Sequence, residues 1–352
     1  MKEELLGDYC NGDKEIYMNE FLDFLPDRIF DNHIHLWDKK YIKDEISQSR
    51  QKQNPFLDAE LIEGFTLEDF QTAAEKLFPG KTYTGLFFGL PLKEFDLQRS
   101  NEYISNVCKQ ENCYGLYMPE PSLKEIPGDF FADRFIGFKP YPDLAEFKEP
   151  EDFSKLDIDI SIFDFVPQIV LEFSNQYGLI LLIHLPRKGR LNDKRNIWEL
   201  DKISEKYPDI KVVLAHAGRS YCFEDIRQSI NEIKHMQNLY MDTAMVNDFL
   251  VNRLILDVLG PEKLLFGSDS GISLLKGKNI DINHKHYFVT KKPKSWSLSS
   301  ATMTLDFTFF LYETVRAVKM AIEELKMDKT QVEKIFYSNS KKMIEDIEKR
   351  IQ

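Results

Sequence analysis

RIFDNHIHLWD, residues 28–38, is an apolar run that closes on two histidines, His33 and His35. Side chains two apart on an extended strand share a face. The pair is therefore an ordinary strand showing two imidazoles, or half of a metal site. Similar runs recur along the chain: YTGLFFGL (83–90), CYGLYMP (113–119), RFIGFKPY (134–141), GLILLIHL (178–185), KVVLAHAG (211–218), LYMDTAM (239–245) and KLLFGSD (263–269). The runs at 178–185, 211–218 and 263–269 are almost continuously apolar, as suits strands covered on both faces. Helical patterns lie between the runs at 67–78, 164–178, 195–208 and 246–260, with Gly178 and Gly260 as C-terminal stops. Strands alternating with helices imply a parallel sheet with crossover helices, and eight of them fit a closed (β/α)8 TIM barrel, an α/β fold.

The chain has 352 residues, 43% of them hydrophobic and 30% charged, which places it among globular proteins and leaves room for a large core. Residues 1–27 read as an N-terminal helical extension and 28–352 as the barrel, with a helical C-terminal tail. Insertions at 38–66 and 271–305 are long enough to cover a barrel mouth. Net charge is −12, which argues against a nucleic-acid partner. No apolar stretch approaches the roughly 20 residues of a membrane span, and the polar N-terminus lacks a signal-peptide core. Cys10, Cys108, Cys113 and Cys222 show no disulfide framework, which suits reduced thiols in a cytoplasmic protein.

The polar residues that end the strands form a series. His33 and His35 close the first, His184 the fifth, His216 the sixth and Asp269 the eighth. In a barrel, strand C-termini converge on the rim that carries active sites. A histidine at such a place can be a buried ring satisfied by a carbonyl, and singly that is the stronger reading. Four together with Asp269 favour a metal centre. His33, His35, His184 and Asp269 make a donor set for one divalent ion, zinc or else manganese. His216 is placed to carry a proton beside it, with Asp269 orienting water.

FDNHIHLWD, LLIHLPRKGR, VVLAHAG, LLFGSDSG and VEKIFYSNSKKMI resemble, in order, motifs of the amidohydrolase superfamily. The resembled branch includes aminocarboxymuconate-semialdehyde decarboxylase, resorcylate decarboxylases and pyrone-dicarboxylate lactonase. The resemblance runs from about residue 28 to 345. It implies a (β/α)8 barrel with one catalytic divalent ion, His33, His35, His184 and Asp269 as ligands, and His216 as catalytic histidine. Members of the branch are often homodimers. Binuclear members bridge two ions with a carboxylated lysine, and Lys139 stands at the corresponding strand end; substrate contact is the favoured role for it.

Cations follow the strand ends in this acidic chain: Lys139, then Arg187, Lys188 and Arg190, then Arg219. They are either solvated loop charges or contacts for a small anionic, carboxylated substrate, with Lys139, Arg187 and Arg219 as those contacts. Trp37 and Tyr141 are wall or packing residues. A second HxH pair, His284 and His286, sits in the polar stretch NHKHYFVTKKPK and reads as a mobile loop or lid. His235 reads as a surface residue. The expected activity is metal-dependent hydrolysis with metal-activated water. The alternatives are non-oxidative decarboxylation of a carboxylic acid, a uronate-type isomerisation, and a silent scaffold, which retention of all five site residues opposes.

Overall fold

A computed structural model describes residues 6–58, 61–110, 112–145, 159–299 and 306–352. Parts of the expected N-terminal extension and of both insertions (1–5, 59–60 and 300–305) lie outside the described residues.

All eight expected strands form, as β1 (Arg28–His35), β2 (Thr82–Phe88), β3 (Tyr114–Tyr117), β4 (Phe135–Phe138), β5 (Ile180–Ile183), β6 (Lys211–Leu214), β7 (Leu239–Asp242) and β8 (Leu264–Leu265). They pair in parallel in chain order. β5 is buried at every position, which is why its sequence shows no alternation. β8 is shorter than the run that announced it, because residues 266–270 leave β7 and cross to β1. There Asn32 N–H donates to the Phe266 carbonyl (2.9 Å), Asp269 N–H to that of His33 (2.9 Å) and His35 N–H to that of Ser270 (3.1 Å). The cylinder closes through these bonds, as a (β/α)8 barrel.

The pairing of β1 with β2 is irregular between Asp31 and Ile34. Gly85 permits this: a Cβ there would stand 2.1 Å from the Asp31 carbonyl oxygen, so only glycine allows the approach. The helices α1 (Leu67–Leu77), α2 (Leu97–Cys108), α3 (Gln168–Tyr177), α4 (Lys194–Lys206) and α5 (Phe249–Val258) occupy the crossovers. α1 begins in a capping box between Thr66 and Asp69, and α3 ends on left-handed Gly178, as expected.

The helical tail supplies α6 (Phe310–Glu324) and α7 (Asn339–Ile351). Phe21 and Phe78 pack edge-on against Tyr312, joining the N-terminal segment and α1 to α6. The Asn339 amide donates to the carbonyls of Pro261 and Leu264, and Ser340 Oγ accepts from Asn32, so the start of α7 fastens the closing seam.

The 271–305 insertion departs from expectation. Its described part is a small sheet of β9 (Gly277–Ile282), β10 (Lys285–Thr290) and β11 (Leu298–Ser299), not an irregular loop. Asn283 and His284, both at positive φ, form the two-residue turn of the β9–β10 hairpin. In the 38–66 insertion, the helix Gln48–Gln53 is held by Arg50, which binds Glu94 (2.6 Å) and Asp143 (2.7 Å). No helix among the described residues is long and apolar enough to cross a membrane.

Candidate metal centre and active site

One cavity of about 310 Å³ opens at the strand C-termini, lined by His33, His35, Lys139, His184, His216, Arg219 and Asp269. Seven of the eight residues expected at the site thus meet. The eighth, Arg187, does not line it. Its guanidinium turns to the buried Glu199 (2.6 Å) and Asn196 (2.8 Å) and to the exposed Asp159 (2.8 Å), a structural ion pair where a substrate contact was expected.

His33 and His35 project from one face of β1 and are almost fully buried. Their Nε2 atoms both lie 3.4 Å from Asp269 Oδ1. His33, His216 and Asp269 form the most compact group, with ligand atoms within 4.8 Å of one another. The His184 ring stands 5.2 Å from that of His216 and 4.9 Å from Tyr141. Residues His216 to Arg219 and Asp269 all take positive φ. Such non-glycine geometry costs on the order of 1–3 kcal/mol per residue and is held where function needs the direction it gives.

The other ring nitrogens show what this arrangement suits. His33 Nδ1 meets Asp242 Oδ2 (2.8 Å), His35 Nδ1 the Gly89 carbonyl (2.8 Å) and His216 Nδ1 the Ala244 carbonyl (3.0 Å). An oxygen acceptor at Nδ1 places the proton there and leaves an Nε2 lone pair facing the cavity. Lone pairs from His33 and His35 then point at a carboxylate oxygen that itself has no hydrogen-bond partner among the described residues. A convergence of acceptors fits a cation. Donors about 2.0–2.1 Å from a tetrahedral zinc ion stand roughly 3.3 Å apart, close to the spacing observed.

Burial pushes His33 and His184 well below the ordinary imidazole range and His216 down to about 4, so the rings are neutral near pH 7. Burial acts on Asp269 in the opposite direction, but the surrounding imidazoles, once protonated, outweigh it and hold its carboxyl below the ordinary carboxylate range. Burial lowers Lys139 to about 8, against the pull of Asp242 and Asp269. Its Nζ has no hydrogen-bond acceptor among the described residues and lies 5.4 Å from the centre of the Phe88 ring.

Several residues here were not singled out from the sequence. Asp242, the last residue of β7, accepts from His33 Nδ1 and from the backbone N–H groups of His216 (2.6 Å) and Ala244 (3.1 Å). Its position at a strand end was the available signal. Asp31 accepts from His33 N–H, Ser268 N–H and the Tyr83 hydroxyl, each at 2.9 Å. Phe56, from the first insertion, and Phe288 and Trp296, from the second, form walls of the cavity, as do Tyr221 and His286, the latter expected only in a mobile loop or lid. Tyr141 is also in the lining, whereas Trp37 is buried packing whose indole donates to the Leu61 carbonyl (3.0 Å). His284 is exposed at the hairpin turn and His235 pairs with Asp201 on the surface.

No curated protein matches the chain significantly. Solved structures share its fold at low identity. An amidohydrolase 2 from Bifidobacterium longum subsp. infantis has 14% identity and a TM-score of 0.54, covering 91% of this chain and 99% of that one. A 5-carboxyvanillate decarboxylase from Sphingomonas paucimobilis has 13% identity and a TM-score of 0.53, over 91% and 99%. A probable 2-pyrone-4,6-dicarboxylic acid hydrolase from Acinetobacter baumannii, with citric acid bound, has 13% identity and a TM-score of 0.53, over 90% and 99%. The Amidohydro_2 family model, described as amidohydrolase, matches residues 133–345, more than half of the chain. With the His/His/Asp cluster at the barrel mouth, the match identifies the chain as a member of the amidohydrolase family, enzymes of the hydrolase and decarboxylase kind.

Proposed function

We propose that this protein is a metal-dependent hydrolase of a small carboxylated substrate, with one divalent ion, zinc or else manganese, held by His33, His35, His184 and Asp269. The observation that carries this is the approach of the His33 and His35 Nε2 atoms to Asp269 Oδ1, each ring fixed from behind at Nδ1. Bound there, the ion would polarise a substrate carbonyl and lower the pKa of water towards about 7. His216, neutral and with Nδ1 on the Ala244 carbonyl, accepts a proton at Nε2 and returns it to the leaving group. Lys139 and Arg219 supply cationic donors for the substrate carboxylate. Asp242 orients both His33 and the His216 backbone. We place the enzyme in the cytoplasm, on its free cysteines.

Two observations favour variants of this reading. The compactness of His33, His216 and Asp269 supports His216 as a ligand in place of His184. Likeness of fold to a protein named as a decarboxylase supports loss of carbon dioxide, with His216 delivering the proton to carbon.

The test is His216→Asn in metal-loaded protein. We expect one ion per chain to remain while turnover of lactone, amide and aryl-carboxylate substrates is lost. Loss of the ion would make His216 a ligand, and undiminished turnover would remove its catalytic role. Carbon dioxide release against acid formation separates decarboxylation from hydrolysis.

A further inference from the structure

Three buried donor atoms of cavity residues have no acceptor among the described residues: Lys139 Nζ, Arg219 Nε and the indole Nε1 of Trp296. The first two belong to the barrel. Trp296 belongs to the second insertion, between β10 and β11. Its ring meets Phe288 edge-on, with centroids 5.7 Å apart, and Phe288 packs in turn on Tyr221 (5.5 Å) and Phe310 (6.1 Å). His286 lies against Tyr221 (4.8 Å) and accepts from Arg190 (2.8 Å), which ties the hairpin to the loop after β5. The indole is therefore held in place by aromatic contacts on a strand anchored to the barrel.

A tryptophan serving only as packing finds an acceptor for its N–H or turns it to water, because a desolvated donor without a partner destabilises the fold. Here the N–H is desolvated and has no acceptor among the described residues, and its indole is part of the cavity wall. That cavity already carries unpaired cationic donors on its barrel side. The missing acceptor is thus one that a ligand brings.

We propose that Trp296 is a specificity-determining residue: its Nε1 donates a hydrogen bond to a second oxygen acceptor on the substrate, apart from the carboxylate bound by the barrel. The substrate class is then a small acid bearing two separated oxygen groups, its body flanked by Phe288, Tyr221 and Phe56. This rests on the proposed function, which supplies the first carboxylate.

The test uses zinc-loaded full-length protein and calorimetric binding of benzoate and the three benzenedicarboxylates. At least one dicarboxylate should bind about tenfold more tightly than benzoate, the scale of one hydrogen bond to a charged acceptor. Trp296→Phe, which keeps the ring and removes the N–H, should bring that ratio to about one. Persistence of the preference in Trp296→Phe, or its absence from the wild type, overturns the proposal. The methylbenzoates, alike in shape but without the second acceptor, check the same point on the unmodified protein and should bind no better than benzoate; a methylbenzoate matching the dicarboxylate counts against the proposal. If benzoate and every dicarboxylate fail to bind while zinc is retained, the carboxylated-substrate reading itself fails. If benzoate binds and only the second acceptor is ignored, the role of Trp296 alone is lost.

Discussion

Asp242 does two jobs with one carboxylate. One oxygen fixes the tautomer of His33, and the other holds the His216 and Ala244 backbone. Removing such a partner of a metal-binding histidine lowers metal affinity by roughly 10–100-fold. Asp242→Ala should show a loss of that size in competition titration with a zinc chelator, while Asp242→Asn, which still accepts from Nδ1, should lose less. Arg187 makes the opposite prediction. It and Glu199 are both about 5% exposed, and breaking a buried pair on one side costs about 3–5 kcal/mol. Arg187→Met should therefore lower the denaturation midpoint and leave KM nearly unchanged. Arg187 and Arg219 each follow a site histidine by three positions, so spacing could not separate them. What does is Glu199, on the helix after Arg187, which no local pattern joins to it.

At the scale of elements, the hairpin carries the clearest pH dependence. Burial, then the charge of Arg190, lowers His286 to about 4 in the folded chain, against about 6.5 in an unfolded one. The unfolded form binds more protons between these values, so the docked hairpin is fully stable above about pH 6.5 and loses stability as pH falls towards 4. Amide exchange across 277–290, corrected for its intrinsic rate, should quicken at pH 5 relative to pH 7.5, and His286→Gln should flatten that difference. The barrel strands were readable because burial on two faces writes itself as an apolar run. The hairpin was not. Its inward residues His286 and Phe288 alternate with Lys285 and exposed Tyr287, and a strand facing a polar cavity through a histidine looks like solvated loop. The alternation from 285 to 288 was the signal present.

For the molecule as a whole, the N-terminal segment is joined to the second insertion by Asp13 and Lys276, a buried pair 2.6 Å apart. Thr308 also donates to Asp13 (2.9 Å). Asp13→Ala leaves Lys276 charged and unpaired and should destabilise the fold by about 3–5 kcal/mol, whereas Asp13→Ala with Lys276→Met should recover much of the loss. Chemical denaturation of the single and double variants checks this. The eight-stranded plan and its ring of strand-end side chains were legible because apolar runs and polar termini recur in register. The aromatic walls, contributed by segments far apart in the chain, carry no such periodicity.

The peptide that shuts the cylinder, 266–270, is the same one that carries Asp269, and α7 holds its neighbours Asn32 and Leu264 from behind. A nascent chain still short of that segment lacks the only carboxylate of the proposed ligand set. Of that set it offers imidazoles alone, donors that suit zinc, copper, iron and nickel alike. In the proposed set the carboxylate arrives only with the last strand, so a full complement of donors follows closure of the cylinder.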